Sequence, residues 1–262
     1  MGYWAPTSTY TSIKKFLRAR RRYVTKDLVS SLYEFFFVDG VKECPYFPTG
    51  MDSFAVLLKG KSLEQLPKYE KQFECCFLAN NFDEEIRLIG DSLIGKKCVH
   101  FANRLMTAPL KPENYKKLNI TDVQLMKVSA CRDRRLKLAA DHYKSLGLNV
   151  HFLPKKLIKF NKDFGTLYSK KYPNTGILTI VYALEMLRPK TLWIVGLDFY
   201  QSDYLTRRPH QSPIEVQRRQ MKKIKMAEIT ANTFRRYPEV KINMVSYYKG
   251  FPEVPNLKIL RG

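Results

Sequence analysis

The residues with the clearest chemical potential lie between positions 196 and 215. His210 is followed by Gln211-Ser212-Pro213-Ile214-Glu215, in which Ser212 reads as an N-cap, Pro213 as the first helical residue and Glu215 as the acid of a capping box. The helix start accounts for those three residues. His210 is left just ahead of the positive end of the helix, which disfavours imidazolium, and a neutral ring there can take a proton from an attacking hydroxyl as a general base. Slightly upstream, Gly196-Leu197-Asp198-Phe199-Tyr200-Gln201 and Tyr204 supply two phenols able to donate to a departing phosphate. Asp198 and Asp203 lack the spacing of the Asp-x-Asp pair that commonly holds a metal beside a phosphate, so no essential cation is expected.

Other segments offer binding groups. In Leu58-Lys59-Gly60-Lys61-Ser62-Leu63, Gly60 would let backbone amides approach a phosphate and Ser62 would cap the next helix. Asn80, Asn81 and Asn103 each follow or close an apolar run, and an amide presents the donor and acceptor that match the mixed edge of cytosine. Asn174, Thr175 and Gly176 open an apolar helix whose N-terminus would seat a ribose or phosphate, although capping explains Asn174 or Thr175 equally well. Arg218, Arg219, Lys222 and Lys223 form a basic face that would meet an acidic acceptor or anionic surface, a solvated helical face being the plainer alternative. His100, His142 and His151 are expected to be packing or surface residues.

These residues need a frame that brings them together. Short apolar runs at 54–58, 75–79, 98–101, 123–128, 150–153, 192–195, 242–245 and 257–260 read as buried strands. Helical patterns fall between several of them, one carrying Leu136, Ala139, Ala140, Tyr143 and Leu146 up to Gly147, another running from Thr175 to Leu187 before Pro189. A further amphipathic helix is expected after His210, its apolar face built from Val216, Ile224, Ala227, Ala231 and Phe234. Such alternation implies an α/β fold with a Rossmann-like, mostly parallel sheet, helices on both faces and ligands beyond the carboxyl ends of the strands. Residues 1–50 differ in character and read as a basic, aromatic N-terminal extension to a domain spanning 51–262.

Composition narrows the partners. Lys and Arg number 46 against 24 Asp and Glu, a net charge of +22 that calls for an anionic partner: nucleic acid, an anionic membrane or an acidic glycan. A hydrophobic content of 45% separates the chain from disordered basic tails. Cys44, Cys75, Cys76, Cys98 and Cys131 are odd in number and lack CxxC spacing, which argues against zinc and against a disulfide framework and favours a reducing, cytoplasmic location. No apolar run reaches about 18 residues, and no apolar signal-peptide core follows Met1. The N-terminal segment around Lys14, Arg18 and Arg22 carries interleaved aromatics, so peripheral contact with an anionic membrane is also considered, beside the solvated basic helix.

Taken in order, these segments resemble the sialyltransferases, both the eukaryotic sialyl-motif family and the bacterial family that sialylates lipooligosaccharide. Phe54 to Leu63 is similar to the family's first strand and glycine loop, with its Gly-Asn-x-Pro-Ser reduced to Gly60-Lys61-Ser62. Leu78-Ala79-Asn80-Asn81-Phe82 resembles the cytidine-contacting Asn segment, and Gly95-Lys96-Lys97-Cys98 to Asn103 the bacterial strand that follows. Pro173-Asn174-Thr175-Gly176-Ile177 resembles the second sialyl motif. Gly196-Leu197-Asp198-Phe199-Tyr200-Gln201 is similar to the bacterial Gly-hydrophobic-Asp-Phe-Tyr segment, and His210 with Glu215 to the final His-and-acid motif.

The resemblance runs from about Phe54 to Phe234 and implies a single-domain variant of the GT-A type. The implied reaction is inverting, metal-independent transfer from a CMP-sugar such as CMP-sialic acid to an acceptor glycan, without a cofactor. His210 would be the base and Tyr200 and Tyr204 the phosphate donors. Gly60, Ser62, Asn80, Asn81, Asn103, Asn174, Thr175, Gly176, Gly196 and Asp198 would contact the donor sugar nucleotide. CMP-Kdo transfer, an inactive nucleotide-binding relative and a basic nucleic-acid-binding α/β protein are the alternatives.

Overall fold

The computed structural model describes residues 51–103, 109–126, 134–152, 174–206, 214–223 and 225–261. The expected N-terminal extension lies outside them. Eight strands are present among these residues: β1 (Ser53–Leu57), β2 (Cys75–Ala79), β3 (Lys97–Asn103), β4 (Asp122–Met126), β5 (Asn149–Phe152), β6 (Thr191–Val195), β7 (Lys241–Val245) and β8 (Leu257–Leu260). They form one sheet in the order β5-β4-β3-β2-β1-β6-β7-β8. Where a mostly parallel sheet was expected, every ladder is parallel. Cys75-Cys76-Phe77-Leu78-Ala79 is buried along its whole length, as a strand covered on both faces requires.

The helices are α1 (Asp83–Ile89), α2 (Pro112–Lys117), α3 (Arg134–Ser145), α4 (Thr175–Tyr182), α5 (Ile214–Lys223) and α6 (Met226–Phe234), with 3-10 turns at Lys61–Lys68, Glu70–Gln72 and Gly90–Leu93. Period-two alternation along β1 divides the core. Phe54 and Val56 join Ile177, Leu178, Ile180 and Val181 of α4 and Ile229 and Phe234 of α6 on one face. Ala55 and Leu57 join Leu63, Ile86 of α1, Tyr115 of α2 and Tyr143 of α3 on the other. The chain steps outward from β1 to β5 and then returns to place β6 on the opposite side of β1. That reversal opens a crevice between the loops leaving β1 and β6, where α/β sheets place their ligands.

The helix expected after His210 is two helices. Lys225 adopts a left-handed conformation (φ 51, ψ 44) between α5 and α6, which redirects the chain so that Met226 enters the core. Val216, which a continuous amphipathic helix would bury, is 44% exposed on α5. Cys75, Cys76 and Cys98 are buried free thiols, and burial pushes the Cys75 thiol far above its ordinary value, so it is inert packing material. Among the described residues no helix is long and apolar enough to cross a membrane.

At the amino ends of β3, β4 and β5 a polar cluster fixes the strand order. Asp122 accepts from Lys97 Nζ (2.8 Å), Thr121 Oγ1 (2.7 Å), Asn149 Nδ2 (3.3 Å) and His151 Nε2 (2.9 Å). Burial alone would raise the Asp122 carboxyl, but the hydrogen bonds from Lys97, Thr121 and His151 outweigh it and hold it down at about 2. A folded-state value below the unfolded ~3.9 stabilises the fold above pH ~4, and that contribution disappears as pH falls through 2. Asp122→Asn is therefore expected to lower the melting temperature at pH 7 by several degrees. It should also flatten the loss of stability that the wild type shows between pH 4 and 2 in acid-titrated thermal melts.

Candidate functional site

The site is organised around a carboxylate that solvent does not reach. Asp198, 2% exposed, follows β6 and accepts five hydrogen bonds. Ser62 donates through its amide (2.9 Å) and hydroxyl (2.6 Å), Ser202 through its hydroxyl (2.5 Å), and Ser246 (3.2 Å) and the Tyr247 amide (2.9 Å) complete the set. A buried carboxylate requires such donors, and here they come from the segments after β1, β6 and β7. Asp198 and Ser62, both expected to contact the donor, are engaged first with the protein itself. Both spend their polar atoms on each other and on the neighbouring loops, and Ser62 lies inside the first 3-10 turn, where it caps nothing.

The glycine loop is engaged in the same way. Gly60 N donates to Gly196 O (2.9 Å), Lys61 N to Asp203 O (3.0 Å) and Leu63 N to Gly60 O (3.0 Å), so with the Ser62 amide on Asp198 no amide from 60 to 63 is left for a phosphate. Glycine is needed at position 60 because a Cβ there would stand 2.6 Å from both Asp198 Oδ2 and Gly196 O. Gly196 itself has φ +85, and a Cβ would come within 2.3 Å of Leu58 O. Residues 59–61 and 203–205 thereby lie against each other, with Gly60 and Tyr204 forming an antiparallel bridge and Leu205 N donating to Lys59 O.

A cavity opens beside this junction, at the carboxyl ends of β1, β2 and β6. Gly60, Asn80, Asn174, Thr175, Gly176, Gly196, Asp198, Tyr200 and Tyr204 line it, with Lys59, Ser202, Asp203, Ile214 and Met226. Nine sequence-predicted residues thus meet in one place. Asn81 does not: its amide donates to Asp83 Oδ2 (2.7 Å) and Pro109 O (2.6 Å) and serves the turn into α1. Asn103 ends β3, but its side chain lies outside the described residues, as do the whole of His210 and the side chain of Lys223.

Tyr200 belongs to a strained turn. Asp198 O accepts from Gln201 N (2.8 Å), and the two central residues, Phe199 and Tyr200, have φ of 46 and 61. This is the sign pattern of a type I′ turn, a place for Gly, Asn or Asp. The turn aims the Tyr200 hydroxyl at Asn174, whose Nδ2 donates to it (3.4 Å) while its Oδ1 caps α4 by accepting from Ile177 N (2.9 Å). Tyr204 packs edge-on against Tyr200, centroids 5.8 Å apart. Burial pushes the Tyr200 phenol above its ordinary value against the opposing hydrogen bonds of Asn174 and Tyr204; burial, then Tyr200 itself and Asp203, push Tyr204 up as well. Both phenols therefore keep their protons at neutral pH and can donate.

Asn80 brings an acceptor. It is left-handed (φ 64), and its buried Oδ1 has no hydrogen-bond partner among the described residues. Its backbone is fixed from below: Asn80 N donates to Phe101 O (2.8 Å), and Asn80 O accepts from His100 Nε2 (3.0 Å). His100 Nδ1 must then accept from Tyr115 Oη (2.8 Å), and burial holds the imidazole neutral, down at about 4. His100 is a packing residue, as expected, and it also supports the cavity wall.

Sequence reasoning missed Lys59 and misread Arg218. Lys59, half-buried beside Gly60, is the one cationic residue among those lining the cavity, and its ammonium lies 5.8 Å from the Phe82 ring centre. Its place directly after a buried strand was the available signal. Arg218 does not belong to a free basic face, because its guanidinium donates to Tyr200 O (2.7 Å) and Gln201 O (2.9 Å). Arg219 and Lys222 are exposed on α5.

No family model and no curated protein matches the chain. Among solved structures it is similar to the monofunctional alpha-2,3-sialyltransferase Cst-I from Campylobacter jejuni, at 16% identity over 78% of this chain and 79% of that one, TM-score 0.44. It is also similar to the sialyltransferase CstII from Campylobacter jejuni in complex with a substrate analogue, cytidine-5'-monophosphate, at 14% identity over 80% and 89%, TM-score 0.42. A mammalian sialyltransferase in complex with Gal-beta-1-3GalNAc-ortho-nitrophenol matches at 13% identity over 73% and 69%, TM-score 0.43.

The Asp198 network sets a measurable expectation. Asp198→Ala strands buried donors of three segments and should cost about 3 kcal/mol or more in urea denaturation. Asp198→Asn should cost nearly as much, because its NH2 faces donors. Ser62→Ala, which leaves the other donors in place, should cost about 1 kcal/mol.

Proposed function

We propose that this chain is an inverting, metal-independent glycosyltransferase of the sialyltransferase type. It would transfer sialic acid, or a related ulosonic acid such as Kdo, from a CMP-sugar to an acceptor glycan. The observation that carries this reading is the cavity at the β1/β6 crevice, which two protonated phenols, one lysine and Asn80, whose buried carbonyl oxygen has no partner among the described residues, line together. Asn80 Oδ1 would accept from the amino group of the base. The N-terminus of α4, with Thr175 and Gly176 on the cavity wall, would hold the ribose.

In the reaction, the acceptor hydroxyl attacks the anomeric carbon from the face opposite the phosphate, and the carbon–oxygen bond to CMP breaks as the ring passes through an oxocarbenium-like state. Tyr200 and Tyr204 donate to the phosphate oxygens as negative charge collects there, and Lys59 offsets that charge, the service a metal performs at other phosphate sites. His210 takes the hydroxyl proton. Its segment joins two cavity-lining residues, Tyr204 and Ile214, and four residues of chain keep His210 within about 14 Å of Ile214. The exposed Arg219 and Lys222 on α5 would face an acidic acceptor or the anionic surface that presents it.

The test is release of CMP from CMP-sialic acid and from CMP-Kdo in EDTA, which also decides between the two donors. The wild type should release CMP from one of them. His210→Ala should lower kcat about 10²–10⁴-fold, and Tyr200→Phe about 10²-fold, the usual loss on removing one positioned donor. Absence of CMP release from both donors, together with absence of CMP binding by calorimetry, would sink the proposal. Salt-sensitive binding of nucleic acid would then become the working reading.

A further inference from the structure

The turn that presents Tyr200 is conformationally expensive. Two consecutive residues with side chains, Phe199 and Tyr200, sit at positive φ in a turn closed by Gln201 N on Asp198 O. Outside glycine such a conformation is strained and persists only where the surroundings over-determine it. Three restraints are present. The Asp198 carboxylate fixes the residue before the turn. The Phe199 ring is held between Tyr248 (4.8 Å) and Phe251 (5.6 Å). The Tyr200 ring packs on Tyr204 and lines the cavity, and among the described residues it has no aromatic anchor comparable to that of Phe199. The Tyr200 backbone is held from α5 instead: Arg218 Nε donates to Tyr200 O at 2.7 Å and Arg218 Nη2 to Gln201 O at 2.9 Å.

We propose that Arg218 is a positioning residue for the Tyr200 phenol: its guanidinium clamps the carbonyls of Tyr200 and Gln201 and keeps the strained turn aimed at Asn174 and the cavity. The planar fork of guanidinium suits two adjacent carbonyls in a way that an ammonium does not. With the clamp absent, Tyr200 relaxes toward negative φ, which swings the ring away from Asn174 and Tyr204. The clamp also ties the first helical turns after Ile214 to the loop after β6, so two segments that line the cavity, one from α5 and one from the turn, keep a constant spacing. The charge of Arg218 is thus spent inside the protein, and a basic residue that reads in sequence as part of an anion-binding face serves the site from behind.

The consequence for catalysis rests on the transferase reading above, but the clamp itself can be tested without it. Protein labelled with 3-fluorotyrosine is examined by 19F NMR, the Tyr200 line being the one lost in Tyr200→Phe, and that line is titrated in the wild type, Arg218→Lys and Arg218→Ala. In the wild type it should titrate above the ordinary fluorophenol value, and in both variants it should move down toward that value, with millimolar guanidinium restoring the wild-type position in Arg218→Ala. CMP release is measured on the same samples. There kcat should fall about 10²-fold, the cost of misplacing a reacting group by about 1 Å, with KM for the donor little changed and partial recovery in guanidinium. A Tyr200 line that titrates as in the wild type in both variants overturns the proposal. A shifted line in a protein whose wild type releases no CMP upholds the clamp and counts against the transferase reading alone.

Discussion

A buried carboxylate cannot be left without donors, and the architecture of the cavity follows from how Asp198 is satisfied. Its donors come from loops after three different strands, so the carboxyl edge of the sheet is drawn together at one point. The convergence forces close backbone approach, which is why positions 60 and 196 have no room for a Cβ. It also consumes the amides of the loop after β1. A loop of that composition after a first strand ordinarily invites a phosphate onto its backbone; here it is structural, and the chemistry of the cavity falls to side chains.

Those side chains are held at some local cost. Asn80, Phe199 and Tyr200 all adopt left-handed conformations around the same cavity. Each is secured by a different means: Asn80 by hydrogen bonds of its own backbone to the His100 ring and the Phe101 carbonyl, Phe199 by aromatic packing, Tyr200 by Arg218. Strain gathered in this way at a cavity wall is characteristic of sites where the direction of a functional group matters more than local stability. The neutral His100 beneath Asn80 matters for a related reason. Burial keeps its ring uncharged, so it supports the wall through one donated and one accepted hydrogen bond without adding to the positive charge already brought by Lys59.

The two ends of the sheet divide their roles. At the amino end the Asp122 cluster pairs opposite charges and stabilises the order of β3, β4 and β5. At the carboxyl end the donors that Asp198 meets among the described residues are neutral hydroxyls and amides. Lys59 lines the cavity, and the phenols remain protonated beside it.

What the amino-acid sequence determined by itself was everything encoded in local pattern. Apolar runs such as Cys75 to Ala79 and Leu192 to Val195 read as buried strands, and helical segments between them implied a mostly parallel sheet. Residues placed directly after strands or at a helix start, Asn80, Asn174 to Gly176, Gly196, Tyr200 and Tyr204, were legible as cavity residues because chain direction alone puts them at the carboxyl edge. Tertiary structure alone decided the partners. Ser62 and Asp198 are 136 residues apart, Arg218 reaches back to the turn at Tyr200, Asn81 turns to Pro109, and Lys225 breaks the helix so that Met226 can be buried. Periodicity and capping rules concern residues within a few positions of one another. Which distant polar group receives a hydrogen bond depends on strand order and loop convergence, and those exist only once the sheet has formed.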